Sequence, residues 1–557
     1  MPRRVVWSVL VRNLLHLSSG HWHLLRLDGL HPDLMELACI RHTDLPATSR
    51  LFADFTYHFD RVARFYRHDP HDFQSLTAAV REIDYPDERR GAMVRALAAQ
   101  NGESESLALL AKPGTVAVVT GQQVGLFSGP AYTIYKALTA ARLARKLTES
   151  GTPAVPIFWL ATEDHDFAEV SKSWVFDAGQ SPVELDIAAV DAAPAGENGR
   201  QRPVGGIEIK NPPIDQLRRA LAGFAHADEV MAAVENAYRP GVTMGEGFRR
   251  LLASLMGQLG LIFLDPLDPA IRKISVPLVS EALGAAPELK ARLLERSQEL
   301  MTAGYHAQVH LEAKTSLFFL LENGERVPLR RKDSEFADLR DRAADVSPNA
   351  LLRPVVQDYL LPTVAYVGGP AELAYLAQSA VLYDRLLGRM PVAMSRAGFT
   401  LLEPRTRKLL ERYGLTLPQI FDHPDTLKDR IAHTLVPDSV EQAFADTAAK
   451  VADQIERLRA ELERFDPTLA AAFDKSRAKM VYQLEKSRRK AARETMRRDD
   501  RAQADASYLI GLLYPHRHLQ ERFYSILPFL AKHGLDLVDQ LYDAVQLDCP
   551  DHRVFQI

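Results

Sequence analysis

Four ionisable residues, Glu163-Asp164-His165-Asp166, stand directly after the apolar run Ala154–Ala161. A histidine among carboxylates suits general base chemistry, because neighbouring charge moves its pKa across neutrality. The same oxygens suit Mg²⁺. A plainer reading is a capped turn, with the acids at the N-terminus of the next helix. A second run opens with the β-prone Thr115–Thr120 and continues through Gly121-Gln122-Gln123-Val124-Gly125 to Ser128-Gly129. It enters a helix-like segment bearing Tyr132 and Lys136. Strand, glycine turn and helix aim a helix N-terminus at an anion. The spacing is neither that of a Walker A loop nor GxGxxG. It reads as a binding loop for a phosphate or carboxylate, or as a tight turn needing positive φ.

Two later groups add candidates. Arg353, Gln357 and Asp358 precede an apolar strand, and Arg353 suits a bidentate grip on a carboxylate or phosphate unless Asp358 pairs with it. Gly368-Gly369 forms a turn where backbone can approach a ligand, and Glu372 either contacts substrate or caps the following helix. Lys314 is a further cation, more simply read as solvated.

The elements that must position these residues alternate. Strands at 115–120, 154–161, 261–264 and 362–367 interleave with helical stretches at 131–149, 214–259 and 371–387, which predicts a doubly wound parallel α/β sheet. Asn323-Gly324 predicts a hairpin. Phe444, Ala448, Val451, Ile455, Leu458, Leu462, Phe465 and Leu469 form a heptad seam interrupted at Asp466-Pro467, hence two long antiparallel helices. The resulting plan is an extension over 1–42, a core over 43–435 with insertions at about 178–260 and 300–350, a helical hairpin over 436–505 and a C-terminal segment over 506–557.

A net charge of −4 gives no pull toward nucleic acid or anionic lipid. No apolar run approaches a membrane span. Eight of the 18 histidines crowd the first 71 residues without metal-ligand spacing and read as surface. Cys39 and Cys549, the only cysteines, stand at opposite ends of the chain. That placement argues against a disulfide framework and suits a reducing cytoplasm.

The motifs Thr120–Lys136, Phe158–Phe167, Leu352–Pro362, Tyr366–Glu372 and Leu513–Arg522 resemble the BshC family, the cysteine ligases of bacillithiol biosynthesis, from about residue 44 onward. That family often has Pro at position 124 and Asn-Gly at positions 516 and 517, where Val124 and His516-Arg517 stand here. The resemblance implies a Rossmann-like core related to nucleotidylyltransferases and class I synthetases, and a coiled coil that forms a homodimer. It also implies joining of the cysteine carboxyl to the amine of glucosaminyl-malate. Because hydroxide is a poor leaving group, ATP is expected to activate the carboxylate, with Mg²⁺ as a possible companion. In that reading Gln122 and Gln123 orient substrate, His165 with Asp164 or Asp166 deprotonates the amine, and Arg353 and Glu372 hold substrate groups. Two alternatives stay open: a nucleotidylyltransferase-like enzyme on another small molecule, and a non-catalytic coiled-coil assembly protein.

Overall fold

A computed structural model describes residues 38–187, 202–312, 315–329 and 333–557, with no side chains described at 38 and 333–338. Residues 1–37, which make up most of the proposed extension, and Lys314 lie outside the described residues.

Five strands form the central sheet: β1 (Val116–Gln122), β2 (Ala154–Leu160), β3 (Ile262–Leu264), β4 (Thr363–Gly368) and β5 (Val392–Ser395). All pairs are parallel, in the spatial order β5-β4-β1-β2-β3. β1, β2 and β4 are buried along nearly their whole length, as β-branched runs in a parallel sheet covered on both faces should be. Helix α1 (Tyr132–Glu149) crosses from β1 to β2, and α3 (Pro370–Leu386) from β4 to β5. The short helix α2 (Arg353–Leu360) leads into β4. Strand order reverses between β1 and β4, so a crevice opens at their carboxyl ends, where open α/β sheets bind ligands.

The β3–β4 insertion lines that crevice, and the β2–β3 insertion does so only through residues at its start, among them Glu163, Asp164, His165 and Glu169. Among the described residues, the β2–β3 connection carries the short helix Phe167–Val170 and three longer ones (Ile214–Leu221, Ala227–Ala237, Met244–Met256). The β3–β4 connection carries the expected hairpin, Phe318–Glu322 against Glu325–Pro328, turning on Asn323 (φ 54) and Gly324 (φ 77). These positive angles at both central residues are those of a primed turn matching strand twist. A separate three-stranded sheet joins Ala38–Ile40, His552–Gln556 and Phe399–Leu402, so the last residues of the proposed extension pair with the end of the chain. There the Cys39 and Cys549 sulfurs, 510 positions apart, come within 3.8 Å. Distance along the chain was therefore a poor guide to their separation.

The long helices are α4 (Asp438–Phe465) and α5 (Pro467–Arg497), the second capped by the Asp466 carboxylate on the Thr468 N–H. Within the hairpin the seam is divided. Phe444, Val451, Ile455 and Leu462 are half-buried or buried, while Leu458, Phe465 and Leu469 stay 49, 81 and 43% exposed. No helix among the described residues is long and apolar enough to cross a membrane.

His516 (φ 48) and Arg517 (φ 66) are successive left-handed residues. That conformation costs a residue with a Cβ about 1–2 kcal/mol. Arg517→Gly is therefore expected to stabilise the protein by about 1 kcal/mol, less the extra freedom glycine gives the unfolded chain. A lower denaturation midpoint would refute this.

Candidate active site

The carboxyl ends of β1, β2 and β4 open into a cavity of about 640 Å³. Gly121, Gln122 and Gln123 end β1 in its wall, and Gly121 is squeezed against β2, where a Cβ would lie 2.8 Å from the Trp159 carbonyl oxygen. Lys136, on the first turns of α1, is buried and donates to Gly121 O (2.9 Å) and Gln122 Oε1 (2.8 Å), and it pairs with Glu372. Glu372 also accepts from the Tyr366 hydroxyl (2.7 Å) and the Gly369 N–H (2.8 Å). Burial works to raise the Glu372 carboxyl, but Lys136 and the Gly369 N–H outweigh it and hold it below the usual range. Burial draws the Lys136 ammonium down, and Glu372 opposes that. This pair joins the two strand ends that flank the switch point.

Gln123 spreads its amide between Asp164 Oδ2 (2.8 Å) and Glu169 Oε2 (2.7 Å) at the rim. Glu163 turns the other way, to Arg272 (2.7 Å), and burial raises its pKa despite that partner. His165 Nδ1 lies 3.0 Å from Arg326 Nη1. A guanidinium only donates, so Nδ1 accepts and the ring proton sits on Nε2. Burial, then Arg326, hold the imidazole below its ordinary value of 6.5, so it is neutral at pH 7. His165 thus presents a donor to the cavity, and the expected general base role does not fit this arrangement.

Arg353 is a cation of the cavity wall. Its guanidinium lines the cavity and donates to the Tyr375 hydroxyl (2.8 Å). Among the described residues no carboxylate oxygen lies within 4 Å of it, and its pairing with Asp358 does not occur. Neighbouring Tyr375, Tyr366 and Glu372 keep its pKa up against burial. Tyr132 stands between cations, with Arg396, Lys136 and Arg522 at 5.2, 5.8 and 5.9 Å from its ring centre. Two buried donors on cavity-lining side chains, Trp159 Nε1 and Arg326 Nε, lack a partner among the described residues. Such orphans call for a ligand or water.

Seven expected site residues fall outside the lining. Gly125, Ser128 and Gly129 form a self-packed turn in which Phe127, Ser128 and Gly129 all have positive φ. Tyr238 and Ser525 hydrogen-bond the turn's backbone, and the Ala131 N–H at the start of α1 is spent on Tyr524 O (2.7 Å). The tight-turn reading fits these three, and this helix start holds no anion because insertion and C-terminal segment cover it. Asp166 is exposed and caps a short helix through the Glu169 N–H. Gln357 and Asp358 are buried away from the cavity, bonded to each other (3.2 Å) and, for Asp358, to the Tyr383 hydroxyl. Gly368 passes its carbonyl to the Arg396 N–H (2.9 Å).

Sequence reasoning missed Trp159, Arg326, Tyr375, Arg396 and Arg522. Arg522 ends the quoted Leu513–Arg522 motif and Trp159 precedes the acidic run, so both carried a signal. Arg326 carried none, being one residue of an ordinary hairpin. Arg396 is aimed by the buried Glu521 (3.0 Å), whose carboxyl Arg396 and His552 hold at about 2 against burial.

Fold and cleft together define a Rossmann-like enzyme with a site rich in charged side chains at its topological switch point. The chain belongs to the BshC family of bacillithiol biosynthesis: residues 35–397 match the family's N-terminal Rossmann-like domain and 399–557 its C-terminal coiled-coil domain. A relative from Solibacter usitatus is 53% identical over 94% of this chain and 100% of its own length. Relatives from Koribacter versatilis and Salinibacter ruber are 37 and 34% identical, over 93 and 92% of this chain and 99 and 96% of theirs. All three bear the name "Putative cysteine ligase BshC".

Proposed function

We propose that the chain joins the carboxyl group of cysteine to the amine of glucosaminyl-malate, with ATP activating the carboxylate as an adenylate or acyl phosphate. The observation that carries this reading is Arg353, a half-buried guanidinium lining the cavity without a carboxylate partner among the described residues. It suits the malate carboxylates or a phosphate. Arg326, Arg522 and the Nε2–H of His165 add donors for an anion, and Asp164 and Glu169 offer acceptors for an ammonium or amine. Of a Mg²⁺ accompanying the nucleotide, these two carboxylates are the ones that would hold it, supplying charge neutralisation at the phosphates. Substrates of this kind, free cysteine and ATP, place the reaction in the cytoplasm.

Purified protein supplied with cysteine, glucosaminyl-malate, ATP and Mg²⁺ is expected to yield the coupled thiol by mass spectrometry, with cysteine-dependent release of AMP or ADP. Nucleotide cleavage without cysteine would favour a transferase on another molecule. No cleavage and no product would favour an assembly protein.

The neutral His165 gives a pH dependence. Its pKa is lowered from 6.5, so the neutral ring persists at all higher pH. At lower pH the ring keeps its Nε2–H, but Nδ1 can no longer accept from Arg326 and an imidazolium faces the guanidinium, so activity is expected to fall there. His165→Gln, which keeps a donor but cannot titrate, is expected to retain activity and lose this acid limb. An unchanged limb in the variant would show that another group sets it.

We further propose that the hairpin α4–α5 forms a homodimer. The apolar side chains it leaves in water, Phe465, Leu458 and Leu469 among them, support this reading. Light scattering should report a dimer, and Leu458→Glu with Phe465→Glu a monomer.

A further inference from the structure

We propose that Cys39 and Cys549 are a modification site, converted reversibly to an intramolecular disulfide by peroxide. Cys39 sits in the strand Ala38–Ile40, opposite Arg553 of the C-terminal strand. Cys549 sits just before that strand begins, so their backbones are already held side by side. The sulfurs are 3.8 Å apart and both residues are half-buried, reachable by a small oxidant. Cys549 also lines a cavity of about 200 Å³ with His71, Lys146 and Arg396, which gives a peroxide-sized molecule room beside its sulfur.

The chemistry balances in two steps. The Cys549 thiolate attacks one peroxide oxygen, the O–O bond breaks, and the departing hydroxide takes up the thiol's proton as water, leaving a sulfenic acid. The Cys39 sulfur then attacks the Cys549 sulfur, the S–O bond breaks, and the hydroxide leaves with the Cys39 proton as a second water. Each sulfur gives up one electron and the peroxide gains two. Cys549 is the attacking partner because it, and not Cys39, borders that cavity; burial and the neighbouring Cys549 push the Cys39 thiol up to about 11, so Cys39 rests protonated. Once formed, the bond closes almost the whole chain into a loop, which restricts the unfolded state more than a short loop does.

The test uses the full-length protein and hydrogen peroxide. Expected are a monomer lighter by two hydrogens, loss of both alkylatable thiols, a cross-linked peptide containing Cys39 and Cys549, and a melting temperature higher by about 4 °C or more. Dithiothreitol should reverse all four changes, and Cys549→Ser should show none. Peptide mapping before any heating reads the bond directly, so a poorly folded variant does not blur the result. Thiols that stay alkylatable, oxygen added to single cysteines, or cross-links only between chains would each overturn the proposal.

Discussion

Arg353→Ala is expected to lower kcat/KM for the ligase reaction about 100-fold, which corresponds to roughly 2.7 kcal/mol of lost transition-state binding. Among the described residues the guanidinium has one tyrosine hydroxyl as its side-chain partner, so truncation would remove the proposed ligand contact and leave no described carboxylate stranded. That asymmetry is why the loss should fall on activity rather than on folding. Arg353→Lys keeps the charge but not the planar fork, and should recover only part of the loss. Steady-state kinetics with a parallel thermal melt decide the matter. A large drop in melting temperature with little change in kcat/KM would make Arg353 a structural residue.

The second large effect falls on stability. Lys136→Met is expected to cost about 3–5 kcal/mol, because it strands the Glu372 carboxylate in a buried setting. Glu372→Gln alone should also destabilise, by leaving the ammonium unpaired. The double variant should lie well above the sum of the two losses, since no net charge then remains buried. Chemical denaturation of the four proteins measures the coupling. Additive losses would mean that the two groups do not depend on each other.

These two residues show how differently the sequence exposed its site. Lys136 belongs to a motif in which strand, turn and helix are neighbours in the chain, so its place at the mouth of the sheet followed from local pattern. Arg353 was visible as a candidate grip for an anion, and Asp358, the acid that offered the plainer ion-pair reading, is buried elsewhere with Tyr383. Gly129 looked like an anion-binding turn because strand, glycine and helix were in order. Tyr524 and Ser525, nearly 400 positions away, close that helix start. The acidic run shows the same division. Its four residues stand together in sequence, yet Glu163 goes to Arg272, Asp164 to Gln123, His165 to Arg326, and Asp166 to a cap.

The sequence alone determined the parallel sheet, its glycine-bearing strand ends, the Asn-Gly hairpin and the paired long helices. Each of these rests on periodicity and turn chemistry within a few residues. Tertiary structure decided which donors face the cavity, which tautomer His165 adopts, and that two cysteines from opposite ends of the chain meet. Those outcomes depend on where distant segments pack, because a side chain's partners and its access to solvent are set by its neighbours in space.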